Sequence, residues 1–128
     1  MSVFTEHESA YLRSQRMARL ATASPTGAPD VAAVTFGVEA DTIVSGGYDI
    51  TKTVRYHHLT ANPRAVIVID DLATTDPWAP RGVKIRGSVT LEEHDGRLQI
   101  RITPEVIWSW GVNPDGGSHF HGVQRRNV

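Results

Sequence analysis

Four side chains able to hold an anion follow the glycine pair Gly46-Gly47: Thr51, Lys52, Thr53 and Arg55. Two hydroxyls and two cations beside the free N–H groups of a helix start suit a phosphate, because the helix dipole adds its positive end there. The spacing predicts that helix, with Asp49 as N-cap and Asn62-Pro63 as its end, since the residue before proline avoids helical torsions. On such a helix Arg55 lies one turn after Thr51, on the same face. The apolar pair Ile43-Val44 precedes the glycines. Ala65–Ile69 follows the helix, apolar at every position and suited to a strand buried on both faces. Strand, glycine turn, cation-bearing helix and buried strand describe the phosphate end of a nucleotide-like cofactor site. The same cations also suit an ordinary solvated helix face, and neither a P-loop nor a dinucleotide fingerprint is present.

Other chemistry is less well supported by spacing. There are six histidines and no cysteine, which excludes disulfides, thiolate zinc sites and a thiol nucleophile. His57 and His58 are adjacent and point about 100° apart on a helix, while His119 and His121 share a strand face with no third ligand placed by spacing. No metal site is predicted. Asp70-Asp71 alternate to opposite faces of a strand, and no nucleophile elbow occurs.

The elements that must position these residues read as one domain over residues 1–128. Thr5 caps a helix to Gln15 with Glu8 as its capping-box partner. Strands follow at 16–23, 31–36 and 42–45, joined by Ser24-Pro25-Thr26-Gly27 and by a turn over 37–41. Residues 72–81 read as a loop. Residues 83–92 alternate cleanly, Asp95-Gly96 signals a hairpin, and Leu98, Ile100 and Ile102 return. Thr103-Pro104 reads as the cap and first residue of a short helix over 105–110, stopped by Gly111. The tail over 112–128 has little periodicity. Six short antiparallel strands predict a mainly β, closed or nearly closed barrel, because closure removes exposed edges. Thirteen Lys+Arg against 14 Asp+Glu, a formal charge of -1, predict no nucleic-acid partner. The N-terminus lacks signal-peptide character and no apolar run spans a bilayer, so a cytoplasmic protein is expected, with no membrane partner.

The order RLATASPTGAPDVAAVTF, the Gly-Gly helix carrying Arg55 seven residues before Asn62-Pro63, then RAVIVIDD and VKIRGSV resembles the flavin-binding split barrel of the pyridoxamine 5'-phosphate oxidase superfamily. The segment DDLATTDPWAPRGVKIRG and the late WSWG are most similar to its short branch that uses the deazaflavin coenzyme F-420. The resemblance runs from about Glu6 to Trp110 and weakly to Arg126. It implies a six-stranded antiparallel split barrel, a homodimer with cofactor sites at the interface, and hydride transfer to a small unsaturated substrate, with FMN as the alternative cofactor. A flavin- or haem-binding protein without turnover is the alternative function. Carried over, Arg55 is the main phosphate ligand, helped by Thr51, Lys52 and Thr53. Val34, Thr35 and Phe36, with Ser45 and Gly46, line the ring. Trp78 and Trp110 approach it from a loop and a helix near the interface or across it. The family offers further basic residues where Val54 and His57 stand, which lowers the expected grip on phosphate. The C-terminal segment that binds substrate in true pyridoxamine phosphate oxidases is not matched, so that activity is not expected.

Overall fold

A computed structural model describes residues 2–113 and 122–128. Helix α1 (Glu6–Ser14) is followed by strands β1 (Met17–Ala23), β2 (Pro29–Thr35), β3 (Gly37–Glu39) and β4 (Thr42–Ser45). After a 3-10 turn at Ile50–Lys52 come α2 (Val54–Ala61), β5 (Arg64–Thr75), β6 (Trp78–His94), β7 (Arg97–Trp110) and β8 (Gln124–Asn127). The described residues thus hold eight strands rather than six. One sheet runs in the order β2-β1-β5-β6-β7-β4-β3, with β8 beside β7, and every pairing is antiparallel. Its two edge strands, β2 and β3, are separated by Phe36 alone, so the sheet is rolled into a barrel. The inward faces supply a core of Leu20, Ile43, Ile67, Ile85, Ile100 and Ile107, closed by Leu12 of α1 and Leu59 of α2. No helix among the described residues is long and apolar enough to cross a membrane.

Several local readings hold for the reasons given. Thr5 Oγ1 accepts the Glu8 N–H at 3.1 Å, and the Thr5 N–H donates to Glu8 Oε1 at 3.0 Å. Asp95 (φ 51) and Gly96 (φ 77) both take positive φ, the demand of a type I′ hairpin. The expectation that Ala65–Ile69 is buried on both faces is corrected: Ala65, Ile67 and Ile69 are buried, whereas Val66 and Val68 are half-buried on the outer face.

Three further readings are corrected. Residues 72–81 are not a loop: β5 and β6 continue as a hairpin arm, pairing Asp71 with Arg81 and Thr75 with Trp78. Arg81 grips Asp71 through Nε and an Nη at 2.7 and 3.0 Å, and the Tyr11 hydroxyl donates to the same carboxylate at 2.8 Å. Burial and that carboxylate push the Tyr11 phenol well above its usual range. The expected helix over 105–110 is the second half of β7. Pro104 does not end the strand, because it sits at a bulge where Arg86 faces Val106 and Gly87 faces Pro104. At that point β7 has left β4, whose pairing ends at Ile102, and has not yet met β8, whose pairing begins at Val106. On that side of β7 a missing N–H therefore leaves no ladder bond unmade. Finally, the tail contains β8.

That last strand carries the partner of a buried charge. Glu8, 1% exposed, accepts from Arg126 Nη1 at 2.9 Å and Ser109 Oγ at 2.7 Å, and Arg126 Nη2 reaches its other oxygen. Burial pushes the carboxyl pKa up, but the bonds from Arg126, Ser109 and the Thr5 N–H outweigh it and hold it below the usual carboxylate range. A folded value below the unfolded one gives stability that is present above about pH 4.3 and fades as pH falls through the folded value. Arg126→Ala leaves the carboxylate uncompensated and should cost about 3 kcal/mol at pH 7, at the low end for a broken buried pair because Arg126 is partly exposed. In that variant only the Ser109 and Thr5 bonds oppose burial, so the carboxyl pKa rises relative to wild type and protonation relieves part of the penalty. Urea unfolding should show the deficit against wild type shrinking between pH 7 and pH 4. An equal deficit at both values would remove the Glu8 charge as its cause.

Candidate cofactor site

The chain from Gly46 to Arg55 does not form one helix. Asp49 caps only the 3-10 turn, accepting the Thr51 N–H at 3.1 Å. Thr53 then takes extended torsions (φ −106, ψ 154) and caps α2 afresh, its Oγ1 accepting the Tyr56 N–H at 3.2 Å. Thr and Ser compete with a helix by bonding nearby backbone, and Thr53 does so here. Thr51 and Arg55 therefore do not share a helix face, contrary to the sequence reading.

Most of the expected anion ligands already have partners. Thr51 Oγ1 donates to Asp49 Oδ1 at 2.5 Å, and Lys52 Nζ lies 3.9 Å from Asp49 Oδ2. Thr53 Oγ1 donates to the Ile50 carbonyl at 2.5 Å. The Thr51 hydroxyl, helped by its N–H and by Lys52, holds the Asp49 carboxyl below its usual range, so a negative charge stands where a phosphate was expected. Arg55 differs. Its Nε is buried without a hydrogen-bond partner among the described residues, an arrangement that costs about 1–3 kcal/mol for an ordinary group and more for a charged one. Its guanidinium lies under Gly47, where a Cβ would stand 3.3 Å from an Arg55 Nη, while the Cβ position of Gly46 is open. An anion beside Gly47 would give Arg55 a partner, so the residues present fit a phosphate-bearing group there. Val54 and His57 are exposed and add no second grip.

The residues expected to line the ring lie next to one another. Ser45 is buried and its Oγ donates to the Thr35 carbonyl at 2.8 Å, tying β4 to β2. Val34 points into the core, so it can offer only backbone; Thr35 is exposed, and Phe36 packs at the core's edge. A groove of about 510 Å³ opens from Gly46 and Gly47 toward the β6–β7 hairpin tip, lined by His94, Asp95, Arg97 and Leu98. These tip residues escaped the sequence reading, since nothing in it says that the hairpin folds over the glycines. Arg97 stands 5.6 Å over the Tyr48 ring at the groove's edge.

The two tryptophans are elsewhere. Ser45 pairs with Ile100, whereas Trp110 pairs with Gly82, ten residues farther along β7 and so roughly 30 Å away at about 3.3 Å per residue. Trp78 is 65% exposed at the end of the hairpin arm. Neither shares a pocket with Arg55 within one chain. The His119–His121 pair lies outside the described residues, and among those described no three His, Asp or Glu side chains converge.

Residues 4–111 match the family model described as pyridoxamine 5'-phosphate oxidase. The chain belongs to that family. Across 92% of this chain and 90% of the relative, it is 32% identical to a 5a,11a-dehydrotetracycline/5a,11a-dehydrooxytetracycline reductase of Streptomyces rimosus. A heme binding protein from Mycobacterium smegmatis superposes with TM-score 0.74 at 18% identity, over 97% of this chain and 58% of that one. A FAD-binding protein from Mesorhizobium loti superposes with TM-score 0.66 at 16% identity, over 83% and 93%. At these identities the two structures establish the split-barrel fold and nothing about ligands. The eight-stranded barrel described above is this oxidase-family fold.

Asp49→Asn keeps an N-cap but removes the charge competing for Thr51 and Lys52. Calorimetric titration with inorganic phosphate should show affinity rising about 3- to 10-fold, the scale of one screened charge contact. An unchanged affinity would take Thr51 and Lys52 out of the anion site.

Proposed function

We propose that the chain is an oxidoreductase that binds the deazaflavin coenzyme F-420 for hydride transfer to a small, flat, unsaturated substrate. The observation that carries this reading is the 32% identity, over nearly the whole chain, to a reductase. The deazaflavin is preferred for the segment Asp76-Pro77-Trp78-Ala79-Pro80-Arg81-Gly82 and the late WSWG, which resemble the branch using that coenzyme. FMN is the second reading, supported by the family match itself.

When bound, the cofactor supplies the hydride chemistry. The chain's own residues bind and orient. Arg55 holds the phosphate through its unpartnered Nε and the neighbouring Nη, a charge-assisted contact in a half-buried setting. Gly46 lets a ring approach the backbone, and the Ser45–Thr35 bond fixes the strand edge beside it. Tyr48, 89% exposed next to Gly47, stands where a hydroxyl can pass a proton from water to a reduced substrate; Tyr56 is the other candidate. Trp78, at the start of β6, and Trp110, at the end of β7, lie too far from the β6–β7 hairpin tip to cover a ring at Gly46 of their own chain. A second copy supplies them, so the functional unit is a homodimer with cofactor sites at its interface.

Fluorescence titration should give a lower Kd for coenzyme F-420 than for FMN. Arg55→Ala should raise it roughly 10- to 100-fold, as expected for losing about 1.5–3 kcal/mol from a charge-assisted bond. A clear preference for FMN would reverse the choice of cofactor, and an unchanged Kd in the variant would move the site away from Arg55. Light scattering at micromolar protein should return twice the monomer mass. A monomer would leave both tryptophans without a role.

A further inference from the structure

The bond from Ser45 Oγ to the Thr35 carbonyl stands between two grooves. Gly46, next to Ser45, borders the groove that runs to the hairpin tip. Thr35 borders another, of about 530 Å³, between the end of α1 and the β2–β3 junction. That volume lies within the roughly 300–1,000 Å³ of organic ligand sites. Leu12, Phe36 and Val38 give this second groove an apolar wall, and Arg13 and Arg16 give it two exposed cations.

Neither arginine forms an ion pair among the described residues. The nearby carboxylates are already held: Glu39 by Arg101 at 2.9 Å, Asp70 by Arg19 at 2.8 Å and Asp71 by Arg81 at 2.7 Å. The dipole of α1 favours a cation in its last turn, which accounts for Arg13. It does not account for Arg16, which lies two residues past the helix end and lines the same groove. Paired guanidiniums beside an apolar wall suit a flat molecule with an anionic edge, because a guanidinium holds a carboxylate through two parallel bonds. We propose that this groove takes the substrate, and that the substrate is an acidic conjugated ring compound. Its carboxylate or ionised enol lies on Arg13 and Arg16, and its ring lies against Phe36 and Val38. The assignment to substrate rests on the cofactor reading, which puts the reacting ring beside Thr35; the binding of the anion does not.

Calorimetry on the full chain without added cofactor tests the binding with cinnamate, a flat conjugated carboxylate, beside uncharged cinnamyl alcohol and inorganic phosphate. Wild type should bind cinnamate at least tenfold more tightly than either. Arg16→Gln should weaken it about tenfold, the loss of one charge-assisted bond, and adding Arg13→Gln should weaken it further. Arg97→Gln, which removes a cation from the other groove, should leave it unchanged. Equal binding of the alcohol or of phosphate, an unchanged Kd in the double variant, or a tenfold loss in Arg97→Gln would each overturn the proposal. Saturating cinnamate should also alter the fluorescence of bound coenzyme F-420, and an unaltered spectrum would overturn the assignment to substrate. Binding of F-420 or FMN without binding of cinnamate sinks this inference alone. Cinnamate binding that depends on Arg16, with neither cofactor bound, upholds the anion groove and sinks the cofactor reading.

Discussion

One residue, Phe36, joins the two edge strands of the sheet, and the roll of the barrel follows from that constraint. Laid flat, the order β2-β1-β5-β6-β7-β4-β3 would hold β2 and β3 six strand spacings apart, roughly 29 Å at about 4.8 Å each. A single residue spans roughly 3.5 Å. The edges must therefore meet, and rolling brings Ser45 on β4 within hydrogen-bond reach of the Thr35 carbonyl on β2. The chain between β4 and β5 then lies across one mouth of the barrel. There α2 seals the core with Leu59 and sets Arg55 under the glycine pair. The candidate site is a by-product of closing the sheet.

Local satisfaction decides which side chains remain available within that site. Thr51, Thr53 and Lys52 are engaged by Asp49, by backbone or by both, so each would have to give up a bond to accept a ligand. Arg55 would give up none. A ligand that completes its Nε recovers a penalty already present in the unliganded fold, which favours binding without new ordering of the loop. In the proposed reading, recognition concentrates on one guanidinium, while the glycines supply access.

Features encoded by neighbours in the chain were legible; features that depend on a distant partner were not. The Thr5–Glu8 capping box, the Asp95-Gly96 turn and the alternation over 83–92 each need only a few consecutive residues. The break at Thr53 was missed because a threonine can extend a helix or cap one, and only its bond to the Tyr56 N–H reveals the choice. Pro104 reads as a helix start until one knows that β7 changes partners there. The arm over 72–81 depends on Arg81 meeting Asp71, with Tyr11 arriving from α1. Strand β8 has no amphipathic signature, since its reason for pairing is Glu8 at the other end of the chain. Of the candidate site, the helix that carries Arg55 beyond the glycine pair was legible, and the family resemblance grouped Thr35, Ser45 and Gly46, whereas the hairpin tip over the glycines and the remoteness of Trp78 and Trp110 required the register.

The bond between Glu8 and Arg126 spans 118 positions of sequence. During synthesis the amino end emerges first, and for all of that length α1 carries a carboxylate with no counter-charge. A seat in the barrel would strip that carboxylate of water, so the helix gains little by docking early. The docking of α1 is thereby coupled to the pairing of β8. In a living cell, chaperones and proteases would meet α1 undocked until that distant pairing forms.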